Sequence, residues 1–146
     1  MVAAPAQTDF VVAYNDLATQ TCDETLIGLG SLTLSPAVYC FDAAATQTGG
    51  VLTLDGPSDG IWIFKIGILG TGALTGTGFS VVMTGGGQAS NVYWRVADAT
   101  TMTDSNFLGT ILAGAAITMT RGTFNGRALA NAAVTITGTA VSGFAN

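Results

Sequence analysis

Phe107-Leu-Gly-Thr-Ile-Leu-Ala-Gly-Ala-Ala-Ile-Thr-Met-Thr120 is answered 17 residues later by Phe124-Asn-Gly-Arg-Ala-Leu-Ala-Asn-Ala-Ala-Val-Thr-Ile-Thr137, with ten of fourteen positions identical or conservatively replaced. A repeat of this length is the size of one solenoid coil, because about three strands of four to five residues joined by tight corners close a triangular turn. One offset earlier, Thr101 and Thr103 fall in register with Thr118 and Thr120, although Thr100 stands where the later coils carry an apolar residue. Successive side chains of a strand point to opposite sides. The alternation therefore turns Met102, Ile117, Met119, Val134 and Ile136 inward. It turns Thr101, Thr103, Thr118, Thr120, Thr135 and Thr137 outward as a flat grid of two columns, which is the candidate functional site.

Working outward from the repeat, residues 32–142 read as the solenoid. Short alternating runs such as Leu32-Thr-Leu34, Val51-Leu-Thr-Leu54 and Ile61-Trp-Ile-Phe-Lys-Ile66 are separated by Gly-containing turns. Composition agrees with a mainly β fold: 20 Gly and 22 Thr in 146 residues favour strands broken by turns. One segment differs. From about residue 8 to 20, Phe10, Ala13, Tyr14 and Leu17 fall at helical spacing, with Thr8 placed to cap and Asp9 suited to the first turn. The chain is expected to be one domain, 1–146, in which this single helix lays its apolar stripe against another surface.

Charge excludes several classes of function. The net charge is −5, and Lys65, Arg95, Arg121 and Arg127 are the only cations, so neither nucleic acid nor an anionic membrane has an electrostatic partner here. No apolar run is long enough to span a bilayer. His is wholly absent and Glu24 is the only Glu, which removes most acid–base and metal-ligating chemistry. An enzyme, a metal site and a cofactor are accordingly not expected. Cys22 and Cys40 are the only cysteines, an even count in a chain of extracellular character; a disulfide is expected, with two buried free thiols as the alternative.

The remaining conspicuous residues read as structural. Trp62, Phe64, Phe79, Tyr93 and Trp94 fit the wider core or the groove under the helix better than a carbohydrate platform. Asp55 and Asp59 lie in the turn Leu54-Asp-Gly-Pro-Ser-Asp-Gly60, where Asp serves the backbone rather than calcium. Gly85-Gly-Gly87 reads as a corner.

Taken in order, several motifs resemble the ice-binding-protein-like family of cold-adapted bacteria, fungi and algae. They are Ala13-Tyr-Asn-Asp16, Leu32-Thr-Leu-Ser-Pro-Ala-Val-Tyr-Cys-Phe41, Leu52-Thr-Leu-Asp-Gly56, Trp62-Ile-Phe-Lys-Ile-Gly67, Asn91-Val-Tyr-Trp94 and Phe124-Asn-Gly-Arg-Ala-Leu-Ala130. The resemblance implies a right-handed triangular β-solenoid with one α-helix packed alongside, secretion, and ice or another repetitive surface as the partner of a flat face. Two departures stand out. Ser90 replaces a Cys common in relatives, and almost nothing precedes Ala6 where relatives have further coils. No signal segment is visible, so the natural N-terminus is expected to have been removed. An uncapped stack makes a homo-oligomer or an end-to-end filament the structural alternative. The family has no fixed ice-binding motif, so the Thr grid rests on local pattern; the strand with Asn125, Arg127 and Leu129 is the poorer face because a charge interrupts it.

Overall fold

A computed structural model describes residues 14–28 and 31–142. Residues 14–18 form a short helix, α1, whose last turn tightens as the Thr19 and Gln20 amides bond the Asp16 and Leu17 carbonyls. The expected helix start, with Thr8 to Ala13, lies outside the described residues. Among the described residues thirteen strands follow in one sheet, and all their pairings are parallel.

The chain winds through three ladders. It enters at β1 (Glu24–Thr25), β2 (Thr33–Leu34) and β3 (Val38–Phe41). A second coil comprises β4 (Ala45–Thr48), β5 (Val51–Asp55) and β6 (Trp62–Ile66), and a third comprises β7 (Leu74–Thr77), β8 (Ser80–Thr84) and β9 (Val92–Val96). The next two coils are each one continuous strand, β10 (Thr100–Ala113) and β11 (Ile117–Ala130), and β12 (Val134–Thr137) with β13 (Ala140–Ser142) ends the winding. The first ladder stacks β4, β7, the openings of β10 and β11, and β12. The second runs β2–β5–β8 and on through β10 and β11 to β13, and the third runs β1–β3–β6–β9 to the ends of β10 and β11.

Three short strands per coil are expected from the repeat, yet β10 and β11 turn their corners without losing pairing. The reason is length: their 17-residue offset is constant, so Thr100 to Ala113 meets Ile117 to Ala130 with only one interruption in register, at Asp104. Earlier coils carry loops, which break the ladders into separate strands. One of these loops holds a 3-10 turn, Ala89–Asn91. The Gly85 to Gly87 stretch turns the chain after β8, as its sequence suggests.

In-register stacking puts like on like inside. Tyr39, Phe64 and Trp94 stack in register on the third ladder with ring centroids 5.5 and 4.1 Å apart, Phe107 and Phe124 stack in register on the second at 6.4 Å, and a tilted Trp94–Phe107 contact at 4.7 Å joins the two runs across the core. Each such pair contributes about 0.5–1.5 kcal/mol beyond area burial. The indole N–H groups of Trp62 and Trp94 donate to the Leu34 and Leu108 carbonyls, so neither buried ring strands a polar atom. Trp62, Phe64, Phe79 and Trp94 are core residues as expected, whereas Tyr93 is half-buried on the outer side of the third ladder. Cys22 and Cys40 form a disulfide with Cα atoms 5.8 Å apart, tying the segment before β1 to β3.

Thr100 occupies an inward position between Leu74 and Ile117, fully buried, and its hydroxyl is the one buried side-chain polar atom without a partner among the described residues. Leaving such a group unsatisfied costs about 1–3 kcal/mol, whereas the isosteric valine carries no such demand. Thr100→Val is therefore expected to raise unfolding stability by about 1 kcal/mol, read as a higher urea midpoint at unchanged m-value.

Candidate functional site

The first ladder carries the expected grid and extends it. Thr101 and Thr103 pair with Thr118 and Thr120, and these with Thr135 and Thr137. On the other side Thr101 and Thr103 pair with Thr75 and Thr77, which pair in turn with Thr46 and Thr48. Sequence reasoning missed the last four. They lie in the same Thr-x-Thr pattern, but 29 residues separate Thr46 from Thr75 and 26 separate Thr75 from Thr101, so a search at the 17-residue period passes over them. The signal that finds them is the flanking residue: Thr48, Thr77 and Thr137 each precede a glycine at a corner.

That corner is a column of its own. Gly49, Gly78, Asp104, Arg121 and Gly138 follow the last Thr of each rung and share φ values of 69°, 60°, 50°, 59° and 64°. A left-handed turn repeated at one height ends every rung at the same place, which keeps the Thr columns straight. Asp104 and Arg121 accept a conformation that ordinarily favours glycine. They also pair bidentately across the coils, Nε to Oδ1 at 2.5 Å and Nη2 to Oδ2 at 2.9 Å, and the guanidinium holds the Asp104 carboxyl below the usual carboxylate range. The Arg121 carbonyl meanwhile accepts from the Thr139 hydroxyl.

Adjacent parallel strands lie about 4.8 Å apart and alternate residues on a strand about 7 Å apart, so ten Thr present a plane of five rungs by two columns. The strands pair without offset, and no charged side chain stands in either column. Each β-branched side chain has few χ1 options, which makes the array stiff before anything binds. Among the described residues, none of the ten hydroxyls is engaged by another protein group, so they are directed to solvent.

The other ladders offer less. On the second, Asn106 donates to the Ser80 hydroxyl at 3.2 Å and accepts from the Thr123 hydroxyl at 2.8 Å, so its polar groups are spent on neighbouring coils. Asp55 interrupts that face with a carboxylate, which accepts from Thr84 across the coils rather than sitting in a cation cage. The third ladder is covered. Lys65 donates to the Ala18 and Gln20 carbonyls at the C-terminal end of α1, while Arg95 Nε donates to the Tyr14 carbonyl and its guanidinium lies 4.0 Å from the Tyr14 ring centre. Burial, then the neighbouring Arg95, pushes the Lys65 ammonium below its usual range. Between helix and ladder a groove of about 270 Å³ remains, lined by Tyr14, Ala18, Lys65, Ile68, Arg95 and Ala97. Its two cations are already engaged. Arg127 and Leu129 also face out from this ladder, beyond Thr110 and Leu112. Among the described residues no three His, Cys, Asp or Glu converge on a metal position, and no helix is long and apolar enough to cross a membrane.

Residues 1–142 match the model of the ice-binding-like family. The chain belongs to that family. Among its relatives is an ice-binding protein of Nostoc sp. (strain HG1), 42% identical over 121 residues, covering 80% of the chain and 43% of the relative. Ice-binding protein 1 of Shewanella frigidimarina is 40% identical over 125 residues, 77% of the chain and 13% of that protein. The chain thus spans less than half the length of these ice-binding-like relatives. Among solved structures, an ice-binding protein from an Antarctic biological consortium superposes with a TM-score of 0.88 at 36% identity, covering 99% of the chain and 66% of that protein. The ice-binding protein of Antarctomyces psychrotrophicus gives 0.84 at 31% identity, with 95% and 70% covered.

The corner column gives a clean test of how the grid is held flat. A Cβ at Gly78 would meet nothing within 4 Å, so Gly78→Ala probes conformation alone. It should lower stability by about 1 kcal/mol, from the cost of a left-handed alanine. Gly49→Ala, equally open, should match it in the same denaturant titration.

Proposed function

We propose that the chain is a secreted, non-enzymatic ice-binding protein whose three ladders are the sides of a right-handed triangular solenoid, with the Thr ladder as its adsorbing face. Membership of the ice-binding-like family supports ice as the partner. The observation that carries the choice of face is the in-register stack of ten Thr on five strands, unobstructed by charge or by α1.

Single contacts of a methyl or hydroxyl with an ordered solid are weak, a pair of heavy atoms gaining only about 0.1–0.2 kcal/mol. A rigid plane sums them without a separate ordering cost for each side chain, because the ladder hydrogen bonds and the β-branched rotamers have already fixed the positions. Methyls exclude disordered water, and the free hydroxyls can hold ordered water at the spacing of the rungs. Binding of this kind needs no cofactor and no turnover. The absence of His and the dispersal of the carboxylates are in keeping with that.

The test is a freezing measurement with controls for the face. The native chain should show thermal hysteresis and inhibit ice recrystallisation. Thr118→Tyr, on the fourth of the five rungs, should reduce hysteresis several-fold with an unchanged circular dichroism spectrum, since one bulky ring lifts the neighbouring rungs from the plane. Asn106→Tyr on the second ladder should leave it near the native value. Equal loss from both variants, or loss only from the second, would move the face. A native chain without hysteresis would remove ice as the ligand.

A further inference from the structure

The groove between α1 and the third ladder is built around two cations that no acid answers. Lys65 and Arg95 are neighbours in register on β6 and β9, and both line the groove. Lys65 is only 6% exposed. Among the described residues neither lies within ion-pair distance of a carboxylate, although of the chain's nine acids only Asp9 falls outside them. Asp16, the acid on α1, lines a different groove with Leu17, Tyr93 and Leu129, and the Asp98 carboxylate accepts from the Gly72 amide.

Their bonds to the helix segment use only part of what they can donate. Lys65 directs two of its three N–H donors to the Ala18 and Gln20 carbonyls, and Arg95 one of its five to the Tyr14 carbonyl. The stack on the Tyr14 ring, at 4.0 Å, fixes the plane of the guanidinium, so its remaining donors are held in place rather than free to turn. The carbonyls bring partial negative charge against two full positive charges. Burial and Arg95 both push the Lys65 ammonium down, and no carboxylate acts against them. The groove encloses about 270 Å³, against about 10–15 Å³ for a single water, and Ala18, Ile68 and Gly70 are exposed at its rim.

We propose that this groove binds a doubly charged tetrahedral oxyanion, phosphate or sulfate, free or as a monoester, bridging Lys65 and Arg95. Two cations on strands about 4.8 Å apart are too few for an anionic polymer or membrane, whose binding sums many charges, but they equal the charge of one such dianion. The guanidinium fork matches two oxygens of a tetrahedral anion, and the ammonium acts as a point charge on a third. A carboxylate has one charge and two oxygens; the fork takes both and leaves Lys65 unanswered. Bound between the two side chains, the anion ties β6 and β9 to α1, which both residues already hold. The proposal is independent of ice as the ligand, because the Thr face lies on another ladder.

The test is a magnetic resonance titration of the isotope-labelled chain with sodium phosphate, exchanged against sodium chloride at constant ionic strength. The Arg95 Nε–H, which its bond to the Tyr14 carbonyl shields from exchange, and the Gly70 amide should shift to saturation, while the Thr101 and Thr118 amides stay in place. Arg95→Lys keeps the charge and removes the fork, and Lys65→Gln removes one charge; each should weaken phosphate binding by about tenfold or more. If these variants fail to fold, the native chain decides by comparison with sodium acetate, which should bind at least about tenfold more weakly than phosphate. Shifts that do not saturate, shifts matched by chloride, acetate bound as tightly as phosphate, or folded variants with native affinity would each overturn the proposal. Methyl phosphate separates the two sources of the anion: affinity equal to that of phosphate assigns a monoester, and much weaker binding assigns the free ion.

Discussion

Parallel pairing without offset is the constraint on which everything else in this chain depends. Once residue 101 is bonded beside residue 118, the chemistry at one height of a ladder must tolerate its own copy about 4.8 Å away, above and below. Inside, this selects rings that stack on rings, as from Tyr39 through Phe64 to Trp94. At the corner it selects a column of left-handed backbone. Outside it selects Thr, whose stiff branched side chain stacks on itself without repulsion, whereas like charges directly opposite one another would be destabilising. One rule of register therefore yields a core, a straight corner and a flat face together.

The same rule explains how the three ladders divide their labour. A face that must stay bare cannot also support the helix, so α1 is held on the third ladder, where Lys65 and Arg95 are adjacent in register. Two adjacent cations are a liability in a bare ladder, but here Lys65 meets the carbonyls of Ala18 and Gln20 at the C-terminal end of α1, where partial negative charge accumulates, and Arg95 meets the carbonyl of Tyr14. On the second ladder Ser80, Thr84, Asn106 and Thr123 spend their polar groups on bonds between coils. The first ladder leaves all ten of its outward Thr hydroxyls free.

Legibility in the sequence followed coil length. The last three coils repeat at 17 residues, so their register, their inward Met and Ile positions and six outward Thr could be read directly. The earlier coils are lengthened at their corners, by loops such as 56–61 and 67–73, and this breaks the period without disturbing the pairing. Thr46, Thr48, Thr75 and Thr77 were hidden for that reason. The inward placement of Thr100 could be read from the repeat, but its unsatisfied hydroxyl could not, because that depends on what surrounds it. Nor did the pattern distinguish an inward residue from a covered one: Val134 and Ile136 point toward the core, yet are 41% and 39% exposed because, among the described residues, no coil lies above them.

That difference between pointing inward and being covered bears on how a solenoid is held together. Within the stack, each coil seals the one below it, so burial is a property of neighbours rather than of the residue. Ile117 and Val134 occupy equivalent positions, yet one is sealed and the other 41% exposed, and only the added coil separates them. The register that aligns the outward Thr side chains therefore also decides which inward residues are sealed, because each coil covers the one beneath it.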